Sequence, residues 1–253
     1  MANQKKALVT GASEGIGRIF AQRLATEGYE ITSVARNEKR LKELVAGLGA
    51  GSHSYRMADL STPEGVEVTA AELGKNHYNL LINNVGFGVY GAFYQTDVSK
   101  LQTMTRLNCD ALVALAHAFL KAAQSGDALI NLSSALAFLP MPSAGVYAAT
   151  KAFVTSFSES LWYEQKDRGI YVMGLCPGIT TTNFHERAGG TAEDRPPQGL
   201  AQTPEAVVDV ALKALKKRSD PTVISGSKNT IMTTLTRIMP RKNVVSMMGN
   251  MAK

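Results

Sequence analysis

The chain has few cysteines and no clustered histidines. Cys109 and Cys176 stand far apart in apolar segments, a placement typical of reduced core residues and not of a disulfide framework. None of the four histidines shows a metal-ligand spacing such as His-x-x-x-His. The sequence therefore predicts neither a disulfide nor a metal site, and it favours a cytoplasmic protein.

Long hydrophobic runs are also missing. No stretch reaches the ~18 apolar residues of a transmembrane helix, and the first twenty residues lack an apolar signal segment. The composition, 45% hydrophobic and 19% charged, is ordinary for a globular protein, and neither a repeat nor a linker divides the 253 residues. We therefore expect one large folded domain.

Acidic residues are scarce in the last part of the chain. From residue 206 onward, nine Lys and Arg residues stand against only Asp209 and Asp220, although the whole chain carries a net charge of +6. Such a basic segment is compatible with nucleic acid, an anionic membrane, an acyl-carrier partner or simply a solvated surface. Because no aromatic residues alternate with the basic ones, we predict that nucleic acid is not a partner.

Strand and helix patterns alternate along the chain. The predicted strands are Ala7–Thr10, Glu30–Ala35, Ser54–Ala58, Leu80–Asn83, Ala128–Ser133, Tyr171–Cys176 and Thr222–Ser225. The predicted helices are Ile16–Glu27, Glu38–Leu48, Pro63–Leu73, Lys100–Ala123, Tyr147–Gln165 and Pro204–Lys217. Several strands are continuous apolar runs, as in parallel sheets covered on both faces. The pattern predicts a single doubly wound, seven-stranded α/β domain over residues 1–227.

Two segments depart from this alternation. Residues 179–203 contain Gly189-Gly190 and Pro196-Pro197, which predict a long mobile loop near the substrate. Residues 228–253 show apolar positions at helical spacing, interrupted at Pro240, and form a predicted helical extension rich in methionine. This extension could cap an apolar pocket, join a subunit interface or lie peripherally on a membrane.

A glycine-rich turn follows the first predicted strand. The segment Gly11-Ala-Ser-Glu-Gly15-Ile-Gly17 leads directly into a helix. A tight turn there directs backbone N–H groups and a helix N-terminus at one point, which suits the pyrophosphate of a dinucleotide. The spacing differs from the general Gly-x-Gly-x-x-Gly pattern, so the turn alone is an incomplete indication.

Tyr147 and Lys151 are four residues apart on a predicted helix, so their side chains share one face. A tyrosine with a pKa near ~10 is a poor base at neutral pH. A neighbouring ammonium group stabilises the phenolate, and we therefore expect the pKa of Tyr147 to be lowered. Such a phenol can give a proton to a carbonyl oxygen or take one from a hydroxyl.

Polar residues mark the ends of two predicted strands. Ser134 follows the fifth strand, and Asn83-Asn84-Val85-Gly86 ends the fourth. Ligands of parallel sheets bind beyond the carboxyl ends of the strands, so both groups are candidate site residues. Asn108, a poor helix former inside a predicted helix, is a third candidate.

Together these residues resemble the short-chain dehydrogenase/reductase family, from Lys6 to about Ser225. The matching motifs are Thr10-Gly-Ala-Ser-Glu-Gly-Ile-Gly17, Asp59-Leu60, Asn83-Asn-Val-Gly86, Asn108, Ser134, Tyr147-x-x-x-Lys151 and Pro177-Gly178. Val85 departs from the family's usual alanine and is similar to the branch containing hydroxysteroid and 3-oxoacyl reductases. The resemblance implies a Rossmann fold and a dimer or tetramer built from two long helices.

The resemblance also implies a role for each matching residue. Tyr147 would be the general acid/base, Ser134 would orient the substrate oxygen, Lys151 would lower the pKa of the phenol and bind the nicotinamide ribose, and Asn108 would hold a connecting water. The other implied cofactor contacts are Gly11, Ser13, Glu14, Gly15, Ile16, Gly17, Asp59, Leu60, Asn84, Gly86, Pro177, Gly178, Thr180 and Thr182.

The end of the second strand predicts which nicotinamide cofactor is used. Where NAD-dependent enzymes place an acidic residue on the ribose 2′-hydroxyl, this chain has Ala35, followed by Arg36. A guanidinium can bind the 2′-phosphate of NADP(H) through two charge-assisted hydrogen bonds. We therefore predict NADP(H).

The sequence as a whole predicts an NADP(H)-dependent oxidoreductase that interconverts a carbonyl and a secondary alcohol. The predicted substrates are apolar or lipid-like molecules of steroid or 3-oxoacyl type. Two alternatives stay open at this point: a non-catalytic NADP(H) sensor, and an epimerase or dehydratase that retains its cofactor. The complete set of Asn108, Ser134, Tyr147 and Lys151 argues against a sensor, which needs no acid/base residues.

Overall fold

The computed structural model describes residues 4–189 and 201–251. Seven parallel strands form one sheet in the order β3-β2-β1-β4-β5-β6-β7. They are β1 (Lys6–Thr10), β2 (Glu30–Ala35), β3 (Ser54–Met57), β4 (Leu80–Asn83), β5 (Ala128–Leu132), β6 (Tyr171–Cys176) and β7 (Thr222–Ile224). The strand order reverses between β1 and β4, which confirms the predicted doubly wound α/β sheet.

Ten α-helices are present in the described ranges. They are α1 (Gly15–Thr26), α2 (Glu38–Ala46), α3 (Pro63–Lys75), α4 (Val98–Thr105), α5 (Leu112–Ala122), α6 (Gly145–Glu164), α7 (Phe184–Arg187), α8 (Pro204–Lys217), α9 (Ser227–Ile238) and α10 (Arg241–Met251). Four begin with a side-chain cap, in which Asn37, Thr62, Asp97 and Thr203 accept hydrogen bonds from backbone N–H groups. None of these helices combines the length and the hydropathy needed to span a bilayer.

Each face of the sheet packs against its own layer of helices. On one face, α1, α2 and α8 contribute buried residues such as Phe20, Leu41 and Val208. On the other face, α3, α5 and α6 contribute Leu73, Phe119 and Leu161 among others. Because both faces are covered, the central strands are almost wholly buried, which explains their continuous apolar sequences.

The structure corrects the predicted helix over residues 100–123. Between α4 and α5, the segment Arg106–Ala111 is a π-helix that contains Asn108. A π turn adds a residue to the helical repeat and thereby changes the direction of the side chains around it, and such turns are frequent at functional sites. The sequence pattern did not indicate this turn.

The predicted loop over residues 179–203 also contains regular structure. The short helix α7 lies within it, and Thr180 pairs with Gln202 in a parallel β-bridge. Residues 190–200 of that loop lie outside the described residues. The helical extension is confirmed as α9 and α10, separated at Pro240, whereas the division into residues 1–227 and 228–253 stays a prediction.

Candidate active site

A large cleft lies beyond the carboxyl ends of the parallel strands. Its volume is about 1450 Å³, and it extends from Arg36 and Asp59 past Tyr147 to Met248. Pockets for one small ligand usually measure roughly 300–1,000 Å³, so this cleft has room for two molecules side by side. Every residue predicted for the site except Gly17 and Asn108 lines it.

The glycine turn allows neighbouring segments of the chain to approach its backbone closely. Gly11 and Gly15 adopt φ values of +66° and +53°, which other residues rarely adopt. A Cβ on Gly11 would lie 2.7 Å from Nδ2 of Asn84, and a Cβ on Gly17 would collide with the carbonyl oxygen of Gly11. The turn therefore brings the N-terminus of α1 against β1 and leaves its N–H groups facing the cleft.

Asn84 holds this turn in place. Its Nδ2 donates hydrogen bonds to the carbonyl oxygens of Thr10 and Gly11, at 2.9 and 3.4 Å. Its backbone N–H donates to Oγ1 of Thr10 at 2.9 Å. Asn84 thus connects the end of β4 to the glycine turn, and it also lines the cleft where a cofactor contact was predicted.

Arg36 and Asp59 lie together at the far end of the cleft. The Arg36 Nη1 is 3.7 Å from the Asp59 carboxylate, and 72% of the Arg36 side chain is exposed. Partial burial would raise the pKa of Asp59, but hydrogen bonds from Ser61 and the charge of Arg36 lower it overall. The carboxylate is therefore ionised and holds an exposed guanidinium at the mouth, with Leu60, Ser13 and Ile16 nearby in the lining.

Glu14 makes ion pairs that the sequence did not indicate. Its carboxylate accepts a hydrogen bond of 2.6 Å from Arg40 of α2 and also pairs with Arg187 of α7. All three residues line the cleft. Glu14 therefore connects the glycine turn to α2 and α7, and the cleft lining contains four arginines, which are Arg18, Arg36, Arg40 and Arg187. In the sequence, the only indication of these ion pairs is the position of Arg40, four residues after Arg36.

Tyr147, Ser134 and Lys151 meet in the middle of the cleft. All three are buried, with exposed fractions of 6%, 9% and 3%. Ser134 follows β5 and caps the short 3₁₀ turn Ala135–Phe138, accepting a hydrogen bond of 3.1 Å from the N–H of Leu136. Its hydroxyl also lies close enough to the Tyr147 phenol to exert a lowering influence on the pKa of that phenol. Two hydroxyl groups thus face the same space.

The Lys151 ammonium group is held by the strand β5. Its Nζ donates a hydrogen bond of 2.8 Å to the carbonyl oxygen of Leu132 and lies 5.7 Å from the centroid of the Tyr147 ring. The hydroxyl of Ser133 donates to the carbonyl oxygen of Lys151 at 2.7 Å, which fixes this part of α6 against the strand. The position of the ammonium group is therefore determined by the fold.

The pKa values correct one expectation. Burial raises the pKa of Tyr147, and although the Ser134 hydroxyl opposes this, the net shift is upward and not downward as expected. Burial lowers the pKa of Lys151 to about 8. The reason is that both side chains are almost wholly buried, so each charged form loses most of its hydration. The phenol is accordingly a neutral proton donor at pH 7.

Asn108 fixes the chain after β4. Its Oδ1 accepts a hydrogen bond of 3.1 Å from the N–H of Phe87, and its Nδ2 donates to the carbonyl oxygen of Phe87 and to Oγ1 of Thr150. A Cβ on Gly86 would lie 2.9 Å from Asn108 Oδ1 and 3.4 Å from Lys151 Nζ. Gly86 therefore allows the two polar groups to approach. The predicted connecting water stays a prediction.

The segment after β6 forms another wall. Pro177, Gly178, Thr180 and Thr182 all line the cleft, and their contact with a nicotinamide stays a prediction. A Cβ on Gly15 would lie 3.2 Å from Cγ2 of Thr182, so this segment faces the glycine turn across a narrow gap. The hydroxyl of Thr180 donates to the carbonyl oxygen of Gly178 at 3.0 Å, which stabilises a tight turn.

Beyond the phenol, the cleft is apolar. The Phe184 ring packs on the Tyr147 ring with centroids 5.5 Å apart, and Tyr90 lines the same region. Next to them are Leu136, Leu139, Met141, Met232, Met248 and Met251. Part of this wall belongs to α9 and α10, which pack in one cluster with Leu139 through Met232 of α9 and through Val244 and Met248 of α10. Of the uses considered for the extension, capping an apolar pocket agrees with this arrangement.

Comparison with known proteins agrees with this geometry. The family described as short chain dehydrogenase matches residues 5–192. The probable oxidoreductase EphD of Mycobacterium tuberculosis is 31% identical over 83% of this chain, which spans only 39% of that protein's length. A 7beta-hydroxysteroid dehydrogenase of Mediterraneibacter gnavus is 30% identical, with coverage of 88% of this chain and 86% of that protein.

A solved structure is also similar to this chain in fold. A short-chain dehydrogenase from Sphingobium yanoikuyae, in complex with NADPH, superposes with a TM-score of 0.81 at 29% identity, covering 93% of this chain and 96% of that one. The family match covers most of the chain, and the sheet order and the cleft agree with it. The chain belongs to the short-chain dehydrogenase family.

Proposed function

We propose that this chain is an NADP(H)-dependent oxidoreductase that interconverts a carbonyl and a secondary alcohol. The observation that carries the proposal is the buried group of Tyr147, Ser134 and Lys151 in the middle of a two-ligand cleft. Binding of NADPH by the related Sphingobium protein and the names of the dehydrogenase relatives support it.

The residues present fit a dinucleotide phosphate. The glycine turn leaves backbone N–H groups and a helix N-terminus for the pyrophosphate, and Gly11 and Gly15 line the cleft there without side chains. Arg36 lies where a 2′-phosphate would be, and Arg40 lies on the same wall. Lys151 would contact the nicotinamide ribose, and Thr180 and Thr182 would line the nicotinamide itself. When bound, this cofactor supplies or accepts a hydride at the carbonyl carbon.

The protein's own residues handle the proton and the oxygen. The neutral phenol of Tyr147 donates a proton to the carbonyl oxygen as negative charge develops there, and the hydroxyl of Ser134 donates a hydrogen bond to the same oxygen. Lys151, held by the carbonyl of Leu132, stabilises the phenolate that remains. In the oxidation direction the same phenol receives the proton.

The substrate class follows from the apolar half of the cleft. Met141, Met232 and Met248 surround the space beyond Tyr147, and methionine adapts to irregular apolar shapes. We infer a bulky apolar carbonyl, of which steroid and 3-oxoacyl compounds are examples. Excluding water from this space also strengthens the hydrogen bonds on the reacting oxygen.

Subunit association and location stay predictions. The surface of α6 exposes Phe153 and Tyr163, by 44% and 73%, and Phe153 stacks on Phe157 with centroids 5.9 Å apart. Such a surface supports a homodimer or homotetramer through α6. The cytoplasmic location rests on the sequence alone.

The test is a turnover assay of the purified protein with NADPH or NADH and a panel of carbonyls. The panel contains small diketones, 3-oxoacyl thioesters and steroid ketones. We expect NADPH oxidation that requires a carbonyl and favours the bulky apolar members, with little oxidation of NADH. Tight NADPH binding without turnover of any member would contradict the proposal and favour a sensor.

A further inference from the structure

The helices α9 and α10 have an outer surface that the packing of the fold does not use. On α9, Ile231, Leu235 and Ile238 are exposed by 60%, 52% and 82%. Their spacing of four and three residues places them on one face of the helix. The opposite face is occupied, because Thr233 and Thr236 are buried. Single exposed apolar residues are ordinary on protein surfaces, but a row of three indicates an interaction surface.

This row borders an apolar groove that continues to the cleft. The groove has a volume of about 320 Å³, and its lining includes Ile231, Leu235, Met239 and Met247. Met232 lines both the groove and the main cleft, and Met251, exposed by 64%, also lines the cleft. The exposed apolar surface is therefore continuous with the apolar end of the candidate active site.

The charges around the surface favour an anionic partner. Residues 221–253 contain no Asp or Glu, and Arg241 and Lys242 are both exposed at the start of α10, three and four residues after Ile238. Arg237 is also exposed, with its guanidinium 5.4 Å from the centroid of the Phe138 ring. Apolar side chains next to unopposed positive charge are typical of helices that lie at the surface of an anionic membrane.

A second copy of the chain fits the same surface less well. In a twofold dimer each patch meets its own copy, and a patch from residues 221–253, which contain no Asp or Glu, offers Arg241 and Lys242 basic residues and no acidic partner. Like charges brought together across an interface oppose association. An anionic lipid surface has the complementary charge and also accepts the apolar row.

We propose that α9 and α10 dock this protein on an anionic lipid surface, with Ile231, Leu235 and Ile238 inserted among the lipids and with Arg241 and Lys242 facing the headgroups. Docking places the end of the cleft lined by Met232 and Met251 at the membrane, where an apolar carbonyl can enter directly. That route rests on the proposed function, whereas the docking surface does not.

The experiment is flotation of the full-length protein with vesicles of phosphatidylcholine, with and without phosphatidylglycerol. We expect binding to the anionic vesicles only, weakened by added salt. The double variant Ile231→Ser/Leu235→Ser should lower the partition coefficient at least about tenfold, because the inserted apolar surface supplies much of the binding. Each basic residue near the lipid contributes about fivefold, so Arg241→Glu/Lys242→Glu should lower it more than about 25-fold.

Matched controls come from α3, which lies on another part of the surface. Val68 is 54% exposed and Lys75 is exposed, so Val68→Ser and Lys75→Glu repeat the same chemical changes there. We expect both to bind vesicles like the unmodified protein. All variants change exposed side chains outside the cleft, and turnover of a water-soluble diketone should stay unchanged in each.

Two results would overturn the proposal. One is a failure of the unmodified protein to float with anionic vesicles. The other is flotation that the α9 and α10 variants do not reduce. If the same variants also dissociated an oligomer in analytical ultracentrifugation, the surface would be assigned to a second copy of the chain. Because flotation needs neither cofactor nor carbonyl, it is independent of the turnover assay that tests the proposed function.

Discussion

The two ends of the cleft have different linings. Glycines and hydrogen-bonded polar groups line the end formed by β1 and β2, whereas methionines line the end next to α9 and α10. The first end tolerates little change, since Cβ atoms on Gly11 or Gly17 would collide with backbone or with Asn84. The second end consists of unbranched side chains that can adjust. We infer that one end binds a fixed ligand and the other accommodates substrates of varied shape.

Arg36→Glu should have the largest effect of the variants that separate the two ends. It removes two charge-assisted hydrogen bonds to a 2′-phosphate, each worth about 1.5–3 kcal/mol, and adds repulsion. We expect the Kd of NADPH to rise at least about 100-fold, with that of NADH changing less than about threefold. Isothermal titration calorimetry measures both, with Lys39→Glu on the exposed side of α2 as the control. Equal losses for the two cofactors would remove Arg36 from the phosphate site.

Met232→Ala should have an effect of intermediate size, and this effect should be confined to the apolar end of the cleft. Removing this side chain takes apolar contacts from a bulky substrate, and kcat/KM for such a ketone should fall about tenfold. We expect kcat/KM for a small diketone and the Kd of NADPH to stay unchanged. Met57→Ala, at an exposed position outside the cleft, is the control. A similar loss for small and bulky ketones would contradict an apolar substrate end.

The smallest effect concerns stability as a function of pH. The folded pKa of Lys151, about 8, lies below its ordinary value of 10.5, so between these values the unfolded chain binds more protons and stability rises with pH. Burial raises the pKa of Cys176 to about 11, which opposes this trend. Lys151→Met isolates the lysine contribution.

Urea unfolding between about pH 8 and pH 10 measures that contribution. Relative to Lys151→Met, the free energy of unfolding of the unmodified protein should rise by about 1 kcal/mol per pH unit. A difference that stays constant with pH would show that the ammonium group is not desolvated in the folded protein.

The two ends also differ in how far the sequence predicts them. The glycine turn, Ser134, Tyr147 and Lys151 belong to short motifs whose spacing alone places them at strand ends or on one helix face. The contacts of Glu14 with Arg40 and Arg187 join residues from three separate elements, so no local pattern contains them. The π turn contains Asn108, whose side chain contacts Phe87 and Thr150, and both of these residues are distant from it in the sequence.

The direction of the Tyr147 pKa shift was likewise outside the reach of the sequence. The motif predicts which charge stands nearby, but burial, the larger influence, depends on Phe184 and on the surrounding wall of the cleft. The substrate end of the cleft also depends on tertiary contacts that the sequence does not show. Residues 228–253 predict helices rich in methionine, whereas the side of the cleft that these helices cover is decided by tertiary contacts with Leu139.

The central claim is that the Tyr147 phenol gives the proton during carbonyl reduction, and Tyr147→Phe tests it most directly. The measurement is a single turnover of pre-bound NADPH with the best carbonyl, followed by NADPH fluorescence. We expect the Kd of NADPH to stay within about twofold and the rate of oxidation to fall about 10²–10⁴-fold, the usual contribution of a general acid. An unchanged rate of oxidation in the variant would contradict the account.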